Sequence, residues 1–352
     1  MQSIKIFLVI ILLVGCKPEK IKNSVTSPAV MKNGMLVLCE GLFQQNNSTI
    51  SWVDFTSGGS DDLFFTNKTS RLLGDTGNDM QEYGGKIYIV VNVSSTIEVL
   101  DKATGASIKQ ISMMNGSIAK QPRSIVFNGS KAFITCYDGF VDVLDTASLS
   151  ITKRIAVGSN PEGLSVSNNK LYVANSGGLN SPNVDSTISV INLSSLSEMK
   201  KITVGKNPGK VVTDSQGDVY VITRGNYSTI PSRMVRINSV TDLVEITFPF
   251  DASGIEKMGD NLLISNYNYA TSTSNIALFD AVSETISNPS LIDNSQFTTL
   301  FGVKYRPSNS KIYCFDAMGF SNTGYVRVFS SSGVYETSYH VGLNPNNIIF
   351  YD

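Results

Sequence analysis

One histidine, His340, and one tryptophan, Trp52, stand among 352 residues. A single imidazole cannot build a multi-histidine metal site, and any Ser-His-Asp or Cys-His mechanism would have to use this one. His340 lies in SYHVG, which reads as an outer strand, so its expected role is structural. A lone tryptophan excludes a cofactor site walled by several indoles. Charge is also scarce. Lys, Arg, Asp and Glu make up 16 % and the formal net charge is −1. No strong field therefore favours nucleic acid or an anionic membrane surface. CxxCH, P-loop and strand-to-helix GxGxxG motifs are absent. SGGSDD at 57–62 holds Asp61 and Asp62 but lacks the downstream acid of an EF-hand loop. Neither a metal site nor a bound cofactor is expected. Hydrophobic residues at 41 % are too many for a disordered chain. The chain favours Ser, Asn, Gly, Thr and Val, not the Ala, Glu, Lys and Leu of long helices.

Long apolar runs are missing, with one exception. Ile6 to Val14 follows Lys5 and is too short for an ordinary membrane-spanning helix. It has the form of a secretory signal, and Leu13-Val14-Gly15-Cys16 has the order of a bacterial lipobox. Residues 1–15 are therefore expected to be a lipoprotein signal peptide, with Cys16 acylated, palmitate included. Residues 16–33 carry two prolines and no hydrophobic periodicity, which suits a flexible tether. Lys17 is not the aspartate of inner-membrane retention. Cys39, Cys136 and Cys314 sit in apolar runs (MLVLC, AFITC, KIYCF) and read as buried small hydrophobes.

From residue 34 onward the chain repeats. GMLVLCEG, KIYIVVN, KAFITCY, KLYVANS, DVYVITR, NLLISNY and KIYCFDA begin at 34, 86, 131, 170, 218, 261 and 311. Each is followed by a strand with period-two alternation (ISWVDF, IEVLDK, VDVLDT, ISVINL, MVRINS, IALFDA, VRVFSS). These end in Asp54, Asp101, Asp145, Asn192, Asn238, Asp280 and Ser330, whose short side chains favour tight turns. A further strand precedes most copies (QPRSIVF, NPEGLSV, NPGKVVT, DASGIEK), and another ends several (ITKRIAVG, MKKITVG, ETSYHVG). Four strands in 39 to 52 residues make one propeller blade. The chain enters at a second strand, Gly34, and stops after an orphan first strand, Asn344 to Tyr351. Pairing the two removes the open edges of a linear array. The expected fold is all-β, a seven-bladed β-propeller over 34–352, closed by its C-terminal strand.

VGSNPEGLSVSNNKLYVANS, followed by ISVINL, resembles the YncE-like or surface-layer-like seven-bladed propellers over about residues 34–352. The lipobox with an Asn-, Ser- and Tyr-rich propeller also resembles the surface lipoproteins of Bacteroides-type bacteria. That resemblance implies an outer-membrane location, lipid-anchored, at the cell surface or on the periplasmic face. Some members of the group bind cobalamin and pass it to a TonB-dependent transporter.

The loops between second and third strands share a face with the loops between blades, and several are longer than a hairpin needs. Phe43, Tyr227, Tyr267, Tyr269 and Phe320 supply flat apolar surface there, and Asn175 and Asn266 supply amides. This is the mixture paratopes use. Tyr227 and Tyr267 belong to neighbouring repeats, so their rings are expected to share one surface. First strands begin at the channel mouth, which puts Asn78, Arg123, Glu162, Lys210 and Asn346 there; Arg123 and Glu162 occupy one repeat position and either pair with each other or contact ligand. Tyr137 and Arg224 complete the candidate ligand set. The chemistry suits a large neutral polar ligand such as a corrinoid, or a glycan. The competing class is a protein-interaction scaffold, with a transporter as one partner. An enzyme is disfavoured because no catalytic constellation is visible.

Overall fold

The computed structural model describes residues 24–268 and 270–352. Cys16 and Tyr269 lie outside the described residues. Seven four-stranded antiparallel sheets form a ring, as a seven-bladed β-propeller requires. Blades are numbered from the Gly34 repeat. Blade 1 is closed by both ends of the chain: Pro345–Tyr351 is its inner strand and pairs with Gly34–Cys39, from Gly34 opposite Tyr351 to Cys39 opposite Pro345. The inner strands of blades 2 to 7 are Gly77–Tyr83, Pro122–Asn128, Pro161–Ser167, Pro208–Thr213, Gly254–Met258 and Leu300–Arg306. Three of these, Gly77–Tyr83, Gly254–Met258 and Leu300–Arg306, carry no Pro signature, and Leu300–Arg306 was not legible from the repeat.

The second strand of each blade has its apolar residues buried on both faces, which is why its sequence is an almost unbroken apolar run. Side-chain alternation then divides it between two neighbours. In Lys86–Val91, Ile87, Ile89 and Val91 pack with Leu36, Leu38 and Trp52 of blade 1. Tyr88 and Val90 pack with Ile125, Ala132 and Ile134 of blade 3. Seven such cores lie between the seven blades, and the last joins Met35 and Val37 of blade 1 to Tyr313 and Phe315 of blade 7. The three remaining cysteines are buried within these cores. Turn residues behave as their chemistry dictates. Asp54, Asp101, Asp145 and Asp280 each accept backbone N–H bonds from the following turn, at 2.7–2.9 Å in their closest contacts. His340 sits in the outer strand Tyr335–Leu343 with Nε2 2.8 Å from Thr323 Oγ1.

One expectation is corrected. The segment 24–33 is not a free tether: Met31 is buried in the core between blades 1 and 2, its N–H donates to the Ala103 carbonyl at 2.7 Å, and Lys68 Nζ donates to the Pro28 carbonyl at 2.7 Å. An apolar side chain in a prolyl stretch was enough to dock it. Blade 1 also has only a two-residue outer strand, Ser60–Asp61, followed by a short helix, Phe64–Thr69, whose Phe64 and Phe65 fill the same core. Among the described residues no helix is long and apolar enough to cross a membrane.

Candidate functional site

Two concentric rings of side chains surround the channel mouth. Strand register defines the first as the second residue of each inner strand: Asn346, Asn78, Arg123, Glu162, Gly209 and Phe301, with Ser253 at the matching place in blade 6. The second ring is the residue just past each second strand. A recurring backbone bond fixes it, because the N–H groups of Glu40, Asn92, Tyr137, Ser176, Arg224 and Ala317 donate to Asn344, Thr76, Gln121, Asn160, Asn207 and Thr299. Tyr267 holds the equivalent place in blade 6, where its N–H donates instead to Ser253 Oγ at 3.1 Å. The residue before each Pro adopts positive φ in Gln121, Asn160, Asn207 and Asn344. Asn tolerates that conformation and bonds locally, which is the physical content of the repeated Asn-Pro. Asn160 Nδ2 donates to the Tyr137 carbonyl, and Asn344 Nδ2 to the Gly41 carbonyl.

Blades 3 to 5 make one side of the mouth charged. Arg123 donates through Nε and Nη2 to Glu162 Oε2 at 3.2 and 3.1 Å and lies 4.7 Å above the Tyr137 ring. The Tyr137 hydroxyl donates to Glu162 Oε1. Arg224 Nη1 approaches the same oxygen at 3.5 Å. It reaches there because blade 5 has glycine in the first ring: a Cβ on Gly209 would stand 2.5 Å from Arg224 Cζ. Burial alone would raise the Glu162 carboxyl, but Arg123, Arg224, the Tyr137 hydroxyl and Lys210 outweigh it and hold it at about 2. Burial, then the Glu162 carboxylate, push the Tyr137 hydroxyl up. Lys210 feels Arg224, Asp79, Glu162 and Arg123, four groups from four blades, as only a side chain near the axis does. It is open to channel water yet ringed by protein, and that confinement, with the Arg224 charge, lowers its ammonium. Glu40 shifts the other way, raised by burial against the attraction of Arg123. Its closest hydrogen-bonding group is Asn346 Nδ2 at 3.5 Å.

Blades 6 and 7 make the facing side aromatic. The Phe320 ring meets Tyr267 edge-on at 6.0 Å and Phe301 edge-on at 5.6 Å. Among the described residues, Tyr267 therefore has an aromatic neighbour in Phe320. Tyr227 projects into solvent at 75 % exposure, its hydroxyl accepting from Asn207 Nδ2 at 3.2 Å. No Tyr227–Tyr267 ring contact occurs among the described residues, because the 225–232 loop is turned by Asn226, whose Oδ1 accepts from the Ser228 and Ile230 N–H groups.

The sequence candidates therefore divide. Asn78, Arg123, Tyr137, Glu162, Arg224, Tyr267 and Asn346 line the mouth, and Phe320 stands beside them. Asn78 Nδ2 is held by the Arg123 carbonyl at 2.8 Å. Phe43 is exposed on the outer rim and Asn266 is half-buried. Asn175 is corrected: it is fully buried, donating to Thr187 and Ser189 hydroxyls at 2.9 Å and accepting from the Gly158 N–H at 3.0 Å. Its amide is spent on the blade. Glu40 and Phe301 were missed. Counting six residues on from Gly34 would have found Glu40; Phe301 had no signal, since its strand lacks the Pro marker. Among the described residues no group of three His, Cys, Asp or Glu side chains is placed to hold a metal ion.

Residues 33–327 match the family described as Domain of unknown function (DUF5074). No curated protein sequence matches the chain. Among solved structures, it is similar to a quinoprotein alcohol dehydrogenase-like protein of Bacteroides thetaiotaomicron, with TM-score 0.67 and 13 % identity over 91 % of this chain and 79 % of that one. It is also similar to the hydrazine synthase of Kuenenia stuttgartiensis (TM-score 0.60, 14 % identity, 74 % and 85 % covered). A third is the WD40 domain of Neurospora crassa Pan2 (TM-score 0.57, 9 % identity, 77 % and 80 % covered). At these identities the likeness is one of fold.

Proposed function

We propose that this chain, which belongs to the DUF5074 family, is a non-catalytic binding protein that takes its ligand on the loop-rich face over the channel mouth. One observation carries the reading: five blades send polar, charged and aromatic side chains to a single rim, a convergence that ring closure does not require. Rigid scaffolds commonly recognise ligands this way. The lipobox ending in Cys16 supports an acylated, outer-membrane-anchored protein, and the resemblance to Bacteroides-type surface lipoproteins supports a corrinoid as the ligand, with a glycan as the alternative. Absorbance titration of the purified chain with cobalamin, beside a glycan array, tests this. Saturable binding to either supports it, and the absence of both refutes it for these ligands.

Leu42, Phe43, Leu179 and Ile230 are exposed on the loops of the same face. Apolar side chains at a rim favour contact with a partner protein. A transporter receiving the ligand from this face is the partner this reading supplies.

A further inference from the structure

The cations of the mouth exceed its paired acids in reach. Glu162 is shared by Arg123 and Arg224, and Arg224 meets it only through Nη1, at 3.5 Å. Lys210 makes no ion pair and no side-chain hydrogen bond among the described residues. Beside these cations, blade 5 carries Gly209, over which the Arg224 guanidinium lies, and blade 6 carries Ser253 and Gly254, so no long first-ring side chain stands between Arg224 and the aromatic side. Beyond them stand Tyr267, Phe320 and Phe301, with Phe301 37 % exposed. Charge, small side chains and flat apolar surface thus follow one another over blades 5 to 7.

We propose that the mouth selects an organic anion bearing a planar ring: the carboxylate or phosphate seats between Lys210 and the free edge of Arg224, and the ring lies over Ser253 against Phe301 and Tyr267. This rests on the binding reading above and names the chemistry of the group that enters the mouth. An anion there supplies what Lys210 lacks, and the seat is reachable because the channel admits water to Lys210. Ring contact adds a smaller, shape-dependent contribution.

The test is calorimetric titration of the full chain, purified in detergent, with adenosine 5′-monophosphate, benzoate, adenosine and inorganic phosphate. The two ringed anions should bind more tightly than adenosine or phosphate, and more weakly as salt is raised. Lys210→Met should weaken the ringed anions about tenfold and leave adenosine unchanged. Phe301→Ser should weaken the ringed anions and adenosine about fivefold and leave phosphate unchanged. Neither residue is packed in a blade core, and circular dichroism confirms the fold of each variant. Failure of both ringed anions to bind at 10 mM overturns the proposal, as does equal binding by Lys210→Met. If cobalamin or a glycan binds while neither ringed anion does, the binding reading stands and the anion seat falls.

Discussion

Replacing Glu162 with glutamine keeps the shape of the mouth and removes the charge that two arginines share. The size of the effect follows from protonation linkage. Glu162 has a reference value of 4.5 and is held at about 2 in the fold. A depressed carboxyl contributes stability that is complete above its unfolded value and is lost as pH falls through the folded one. That depression corresponds to about 3 kcal/mol at pH 7 and roughly half as much at pH 3. Breaking one partner out of a buried pair commonly costs about 3–5 kcal/mol. The lower end applies here, because Arg123 and Arg224 keep 18 % and 26 % of their side chains open to water. Urea denaturation, which leaves charges unscreened, should therefore show Glu162→Gln about 3 kcal/mol less stable at pH 7, or about 5 °C lower in Tm for a domain this large. The gap should halve by pH 3. A variant as stable as wild type at pH 7, or a gap independent of pH, would refute the argument that Arg123 and Arg224 stabilise the ionised acid.

Glu40 should show the opposite sign. Its carboxyl is raised by burial, so its ionised form is a burden above that value; Glu40→Gln should be more stable than wild type at pH 7, with the advantage gone at pH 3 in the same urea series. Gly209→Ala puts a methyl where the Arg224 guanidinium lies. The long side chain should swing away at a cost below about 1 kcal/mol, and a crystal structure or titration of the variant should show Arg224 parted from Glu162. Deleting 344–352 removes the inner strand of blade 1 and leaves the Gly34–Cys39 edge unpaired. Aggregation and a non-cooperative melt are expected, and an unchanged melting transition would mean that closure does not hold the ring. Cys16→Ser should move the protein out of the detergent phase on Triton X-114 partitioning; unchanged partitioning would rule out the acyl anchor.

The sequence determined the ring almost completely. Its strand repeats carry local physics, namely apolar runs flanked by Asp or Asn turns, and an orphan Asn344–Tyr351 strand has one place to go. It also placed Arg123, Glu162 and Asn346 at the mouth, because a Pro marks where those strands begin. Other features belong to the closed structure alone. That Arg224 enters the mouth depends on the absent side chain of Gly209, an event between strands that no spacing records. That Asn175 turns inward depends on Thr187 and Ser189, which stand on the neighbouring strand. Phe301 meets Phe320 from a strand without a marker, and Glu40 senses Arg123 from two blades away. Periodicity fixes which face of a strand a residue occupies. Which side chains meet around an axis is decided only when seven blades close on it, because burial and charge there are sums over residues far apart in the chain.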